Sequence, residues 1–369
     1  MSRVVGSVTS LAERKSRAGQ RLLIGISGGT VALETKALIK QLQPAGFILF
    51  SRNVEEPEQV RELNRELASL VNNRHPAILS VDQEGGRVQR IKDGASRLPP
   101  LRHLGNVDNL EITAAYARLL ANEVRAMGFN LNWAPIADVD SNPDNPIIGD
   151  RSFSRDPYAV AKHVAEYIRA TQELGVMACA KHFPGHGDTA TDSHLTLPMV
   201  EKDIPELNEV ELRPFVSAVH AKVATMMTAH VVFPEWDEHR PATMSKRILS
   251  DILRKEMGFE GLIVSDDLEM KAVRGRYPLR EQLDQACRAS VDLFLVCKEP
   301  ALQLETFEEL VRLQEDERSH DQLAIDSMAR LQATRERFFL EAKAAPGMEV
   351  LNSREHQELL AMIQDRGAE

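Results

Sequence analysis

Between Lys181 and His194 the chain reads KHFPGHGDTATDSH, a stretch with three histidines, two aspartates and a lysine around a Pro-Gly turn. Asp192 stands two residues before His194. A carboxylate that close to an imidazole can accept the Nδ1 hydrogen, fix the tautomer and leave Nε2 to exchange a proton. A metal reading needs His182, His186, Asp192 and His194 to converge. Their spacings, H-x3-H and D-x-H, are permissive for zinc but match no strong zinc signature. A polar loop without chemistry is the third reading. The residue types favour acid/base work over the other two, and His186 reads as loop structure rather than as a ligand.

A second candidate lies in IVSDDLEM, where Asp266 follows the apolar run GLIV. A carboxylate there can serve as nucleophile, metal ligand or electrostatic stabiliser. The competing role is a helix N-cap, which suits Asp267 better than Asp266. Other apolar runs also end in polar groups: AILSVD at Asp82, opening QEGGRVQR, then Asp138, Lys181-His182 and His230. Carboxylates, imidazoles and cations gathered in this way suit a hydroxyl-rich substrate. Asp82 can accept from hydroxyls, while Arg and Lys donate without needing a metal.

The elements that must position these groups show a rhythm. Apolar runs occur at 22–26, 46–50, 77–82, 129–135, 176–183, 224–230, 261–267 and 291–297. Amphipathic stretches such as EPEQVRELNRELASLV lie between them, with apolar residues at three- and four-residue spacing. DPYAVAKHVAEYIRATQELG adds a start signal at Asp156-Pro157 and a stop at Gly175. Continuous apolar strands alternating with helices imply parallel βαβ units buried on both faces. Eight such units predict an α/β protein built as a (β/α)8 barrel, whose active site sits on the loops after the strands. ISGGT after the first run lacks the G-x-G-x-x-G spacing and reads as a tight turn, not a dinucleotide site. The helical patterns AIDSMARLQATRERFFLEA and SREHQELLAMIQD follow. They predict one barrel domain over residues 1–320 with a helical tail, 321–369, packed on it.

With 369 residues, 43% hydrophobic and 27% charged, the chain can bury a large core. A net charge of -10 argues against nucleic acid, and no polybasic segment faces a lipid surface. Cys179, Cys287 and Cys297 are odd in number and scattered, which predicts buried free thiols and a reducing compartment. The start has no sustained apolar signal region, and the longest apolar run, 223–233, is too short for a bilayer. A cytoplasmic monomer is the expectation.

Together, KHFPGHGDTATDSH, VDQEGGRVQR, GDRSFS and VSDDLEM resemble the bacterial β-N-acetylglucosaminidases of glycoside hydrolase family 3. The resemblance covers roughly residues 20–300 in the family's order and is nearest to the single-domain enzymes of peptidoglycan recycling. It implies Asp266 as nucleophile, His194 as general acid/base and Asp192 as its partner. It also implies sugar contacts from Asp82, Arg90, Arg151, Lys181 and His182, with no cofactor and no metal. The expected reaction is a retaining double displacement that releases terminal GlcNAc from muropeptide-type glycosides such as GlcNAc-1,6-anhydroMurNAc. Rival expectations are a substrate-assisted route through the 2-acetamido group, a phosphorylase, a broader β-hexosaminidase or β-glucosidase, a metallohydrolase using His182, His186 and His194, and a sugar-binding barrel without turnover.

Overall fold

The computed structural model describes residues 9–72, 76–189, 197–340 and 344–368. All eight apolar runs form parallel strands: β1 Leu22–Gly25, β2 Gly46–Leu49, β3 Ile78–Val81, β4 Leu131–Asn132, β5 Met177–Phe183, β6 Thr225–Thr228, β7 Leu262–Val264 and β8 Phe294–Val296. From β1 to β7 each strand pairs with its sequence neighbour, and β8 pairs with β1. A bridge between Val264 and Leu293 closes the ring. The fold is therefore a (β/α)8 barrel with a helical C-terminal end.

Alternation along the strands sorts the core into two layers. Leu23, Ile48, Ile78, Leu131, Met177, Cys179, Val264 and Leu295 point into the barrel, whereas Leu22, Phe47, Leu79, Ala178, Ile263 and Phe294 pack under the outer helices. All three cysteines are free and buried. Among the described residues no helix is long and apolar enough to cross a membrane.

The helices form where the pattern predicts. EPEQVRELNRELASLV gives Pro57–Ser69, with Val60, Leu63 and Leu67 on its buried face. Asp156 caps Pro157–Glu173 by accepting from the backbone N–H of Tyr158 and Ala159. The helix Arg318–Phe339 spans the expected boundary at 320/321, and its Leu331 and Phe338 join the barrel's inner layer. From the same helix, Arg335 donates to the Ala45 carbonyl at 2.9 Å and Arg330 meets Asp292 at 2.8 Å. Arg354–Gly367 folds back instead onto the helices Leu101–Val107 and Leu110–Ala126.

Candidate active site

The ends of the strands build the site in chain order. After β3, Asp82 leads into a tight hairpin in which Gln83–Gly85 pairs with Val88–Gln89. The Gln83 side-chain oxygen accepts from the backbone N–H of Arg90 and Ile91, at 2.9 and 3.1 Å, which fixes where Arg90 starts. Beyond β4, Asp138 is fully buried. Asn145 then caps the turn that carries Arg151, accepting from Ile147 N and Ile148 N at 2.8 Å each. At the end of β5 stand Lys181 and His182, followed by Gly185 and Gly187. A Cβ at Gly187 would overlap the Val139 carbonyl oxygen, so only glycine lets the chain pass there. Asp266 and Asp267 follow β7.

These ends enclose a cavity of about 570 Å³ lined by Asp82, Glu84, Arg90, Arg151, Lys181, His182, His186, Asp266, Asp267 and Glu269. Ile48, Phe50, Met227 and Leu295 supply apolar wall. On one side an ionic cluster is wired together. Lys181 Nζ lies 2.8 Å from Asp82 Oδ1 and 2.7 Å from Glu84 Oε1. Arg90 reaches Asp82 Oδ2 at 3.0 Å, and Arg151 grips Glu84 through Nε and Nη2, each at 2.9 Å. Burial alone would raise the Asp82 carboxyl, but Lys181 and Arg90 outweigh it and hold it below the usual range. Burial would likewise raise Glu84, yet Arg151 and Lys181 hold it down. Burial works against the Lys181 ammonium, which Asp82 and Glu84 nevertheless hold above its ordinary pKa. Asp82, Glu84 and Lys181 are therefore charged at neutral pH.

A second group surrounds Asp138. Its carboxylate accepts from His182 N at 3.0 Å and His186 N at 2.8 Å, and lies 2.8 Å from His182 Nδ1. His186 meets Thr189 Oγ1 at 2.8 Å, and burial, reinforced by His182, pushes its pKa down to about 4. His186 is thus a neutral, buried wall of the cavity, a closer relation to the site than loop structure. Across from it, Asp266 Oδ1 accepts from Asp267 N at 2.8 Å. Asp267 accepts from Glu269 N and Cys297 N, at 3.2 and 3.3 Å. Burial, together with the charge of Glu269, pushes Asp267 up to about 7.

Asp82, Arg90, Arg151, Lys181, His182 and Asp266 all line the one cavity. Asp192 and His194 lie outside the described residues, so the dyad and any convergence of His182, His186 and His194 do too. The group of metal-ligating side chains found among the described residues, Asp284, Glu317 and His320, is elsewhere, and Arg288 pairs with both of its carboxylates. Asp267 is not a helix N-cap: the next helix starts at Lys271 with Met270 before it, too far along for the Asp267 side chain to reach. Glu84 was not singled out by residue type, whereas Asp138 was read only as one of the strand-end groups and His186 only as loop structure. Glu84 had one usable signal, since it sits two residues after Asp82 and so on the same face of an extended strand.

A closed barrel whose strand tops hold a cavity-lining carboxylate, Asp266, together with a charged, hydrogen-bonding cluster has the makings of a glycoside hydrolase. The glycosyl hydrolase family 3 N-terminal domain matches residues 15–332. A β-hexosaminidase of Nitrosomonas eutropha is 36% identical over 285 residues, 76% of this chain and 81% of its own. A glycoside hydrolase family 3 β-N-acetylglucosaminidase from Paenibacillus has a solved structure that superposes with a TM-score of 0.91 at 35% identity, covering 98% of this chain and 69% of that one. The structure of NagZ from Neisseria gonorrhoeae in complex with N-trifluoroacetyl-D-glucosamine gives 0.76 at 30% identity, covering 94% and 98%. The protein belongs to glycosyl hydrolase family 3.

Proposed function

We propose that the protein is a retaining exo-β-N-acetylglucosaminidase acting in the cytoplasm, as a monomer and without a cofactor. It would take GlcNAc from peptidoglycan fragments of the GlcNAc-1,6-anhydroMurNAc type and their peptides. The carrying observation is Asp266 on one wall of a cavity whose other wall is the Asp82–Lys181–Glu84–Arg151 cluster. Asp82, Lys181, Arg90, Arg151 and His182 hold the hydroxyl and acetamido groups of the sugar, leaving its anomeric carbon to Asp266.

In the first step the Asp266 carboxylate attacks the anomeric carbon while His194 Nε2–H protonates the glycosidic oxygen. The C–O bond breaks, the aglycone leaves as an alcohol, and the sugar stays as an ester on Asp266. Neutral His194 then takes a proton from water, whose oxygen attacks the same carbon and frees the carboxylate. Asp192 orients the imidazole for both transfers. The template for retaining enzymes uses two carboxyl groups about 5–5.5 Å apart. Here the acid is an imidazole, a group whose unperturbed pKa of about 6.5 suits proton transfer near neutrality.

The test is a 5-fluoro N-acetylglucosaminyl fluoride, which keeps the acetamido group, followed by peptide mass spectrometry. Label on Asp266 supports the assignment. Label on another residue refutes it, and an enzyme that turns over substrate yet never labels follows the substrate-assisted route. Comparing nitrophenyl β-glucoside, nitrophenyl β-N-acetylglucosaminide and a muropeptide disaccharide tests the substrate. Cleavage of plain glucosides alone would overturn that part while leaving the mechanism intact.

A further inference from the structure

Glu211 lies just behind the site and has no part in the ionic cluster. It is buried at 1% exposure on the helical segment Leu207–Glu211. Oε1 accepts from Lys202 Nζ at 2.9 Å and Ser141 Oγ at 3.3 Å. Oε2 has no hydrogen-bond partner among the described residues and faces Gly185, where a Cβ would collide with it. Lys202 Nζ also lies 3.2 Å from Asp188 Oδ1, and Asp188 in turn accepts from Ser141 at 3.4 Å.

The chain positions of these contacts give them meaning. Asp188 stands where the backbone leaves the glycine turn after β5, and Lys202 stands where it returns toward the next helix. One ammonium therefore ties both ends of the 189–201 stretch to a buried carboxylate. Asn142 reinforces the outgoing end, with its backbone N–H on Gly187 O at 3.3 Å and its amide on Asp188 O at 3.2 Å. Fixing the two flanks of a segment narrows the positions open to the side chains between them, and so lowers the ordering cost of a productive contact.

We propose that Lys202 and Glu211 are positioning residues for proton transfer: with Asp188 they form a clamp that fixes the ends of the stretch delivering His194. This rests on His194 being the general acid, as proposed above. Neither residue touches substrate. Their effect falls on the step that needs the loop's acid, because a misplacement of about 1 Å can cost on the order of 10²-fold in rate.

The experiment compares Lys202→Met, Glu211→Gln, Lys202→Arg and His194→Ala. Each is assayed on a dinitrophenyl N-acetylglucosaminide, which needs no acid to leave, and on an alkyl N-acetylglucosaminide, which does. The clamp predicts that Lys202→Met loses up to about 10²-fold in kcat on the alkyl glycoside and keeps its rate on the dinitrophenyl one. Glu211→Gln should behave in the same way to a lesser degree, and Lys202→Arg should restore the alkyl rate. If His194→Ala discriminates between the leaving groups and the clamp variants slow both substrates equally, the clamp is structural only and the proposal falls. If His194→Ala itself does not discriminate, the acid assignment is what fails. Should Lys202→Met not fold, Glu211→Gln and Lys202→Arg decide the matter, each normalised to folded protein by its unfolding midpoint.

Discussion

Asp138 holds His182 at two points, with Oδ1 accepting the backbone N–H at 3.0 Å and Oδ2 lying 2.8 Å from ring Nδ1. The imidazole therefore cannot turn about its side-chain bonds without breaking a buried contact, and Nε2 is the ring atom left for a ligand. Burial would raise the Asp138 carboxyl, but His182 and the other donors keep it below its usual value, so it stays ionised.

Replacing Asp138 by Ala should cost about 3–5 kcal/mol, the range for removing one member of a buried pair. It should also raise KM, because His182 and the 185–189 turn lose a common anchor. Asp138→Asn keeps the shape but places an amide against Nδ1, and should cost less, about 1–3 kcal/mol. Urea unfolding and steady-state kinetics check both variants, and an unchanged KM in Asp138→Ala would show that His182 does not depend on it.

Lys181→Met should destabilise by an amount near the low end of that same range, about 3 kcal/mol. The reason is that Asp82 keeps Arg90 and Glu84 keeps Arg151 after the ammonium is gone. Binding should suffer more than folding, since the sugar would meet a pocket with excess negative charge. Isothermal titration with N-acetylglucosamine reads the binding, and a melting curve reads the folding.

Asp267 should make stability fall as pH rises from about 4 to about 7, opposing the rise that His186, held down to about 4, contributes below its ordinary value of 6.5. The Asp267 carboxyl is pushed up to about 7 in the fold, by burial first and by Glu269 second, against an ordinary value of 3.8. Between those values the folded state holds a proton that the unfolded chain has released, so raising the pH favours unfolding. Glu211, raised by burial to about 7 despite Lys202, acts in the same direction from 4.5 upward. Over this window the unfolding free energy of Asp267→Asn should fall less, or rise more, with pH than that of the parent. An identical slope in the variant would mean Asp267 is ionised throughout.

Phe338→Ala should cost about 3–5 kcal/mol and Leu331→Ala about 2–5 kcal/mol, as for other large-to-small changes in a core. Both side chains are buried in the barrel's inner layer, far from the strand tops. Catalytic rate per folded molecule should not change, which an active-site titration with the fluoro sugar would show.

The barrel was legible because strands covered on both faces must be apolar throughout, and each of the eight runs met that condition. Strand lengths were less so. FNLNWAP yields only Leu131–Asn132 as strand, since Pro135 has no N–H to give to a ladder. Within the site, residues that end a strand could be found from sequence: Asp82, Lys181, His182 and Asp266. Asp138 too was visible as a strand-end group, but the pairing of Asp138 with His182 and His186, and of Glu84 with Lys181 and Arg151, joins residues far apart in the chain, and no local pattern carries that information. Asp267 fitted a helix cap by spacing, yet the helix begins further on and the carboxylate turns to Glu269 N and Cys297 N instead.

Leu331 and Phe338 also bear on how the chain is made. A ribosome releases the eight strands well before it releases the helix Arg318–Phe339, so a nascent barrel has its ring of strands but lacks two side chains of its inner layer. Until that helix emerges, the inner apolar layer stays incomplete and open to wrong partners. A message truncated just before this helix would therefore direct synthesis of a chain that carries every residue lining the cavity and still aggregates.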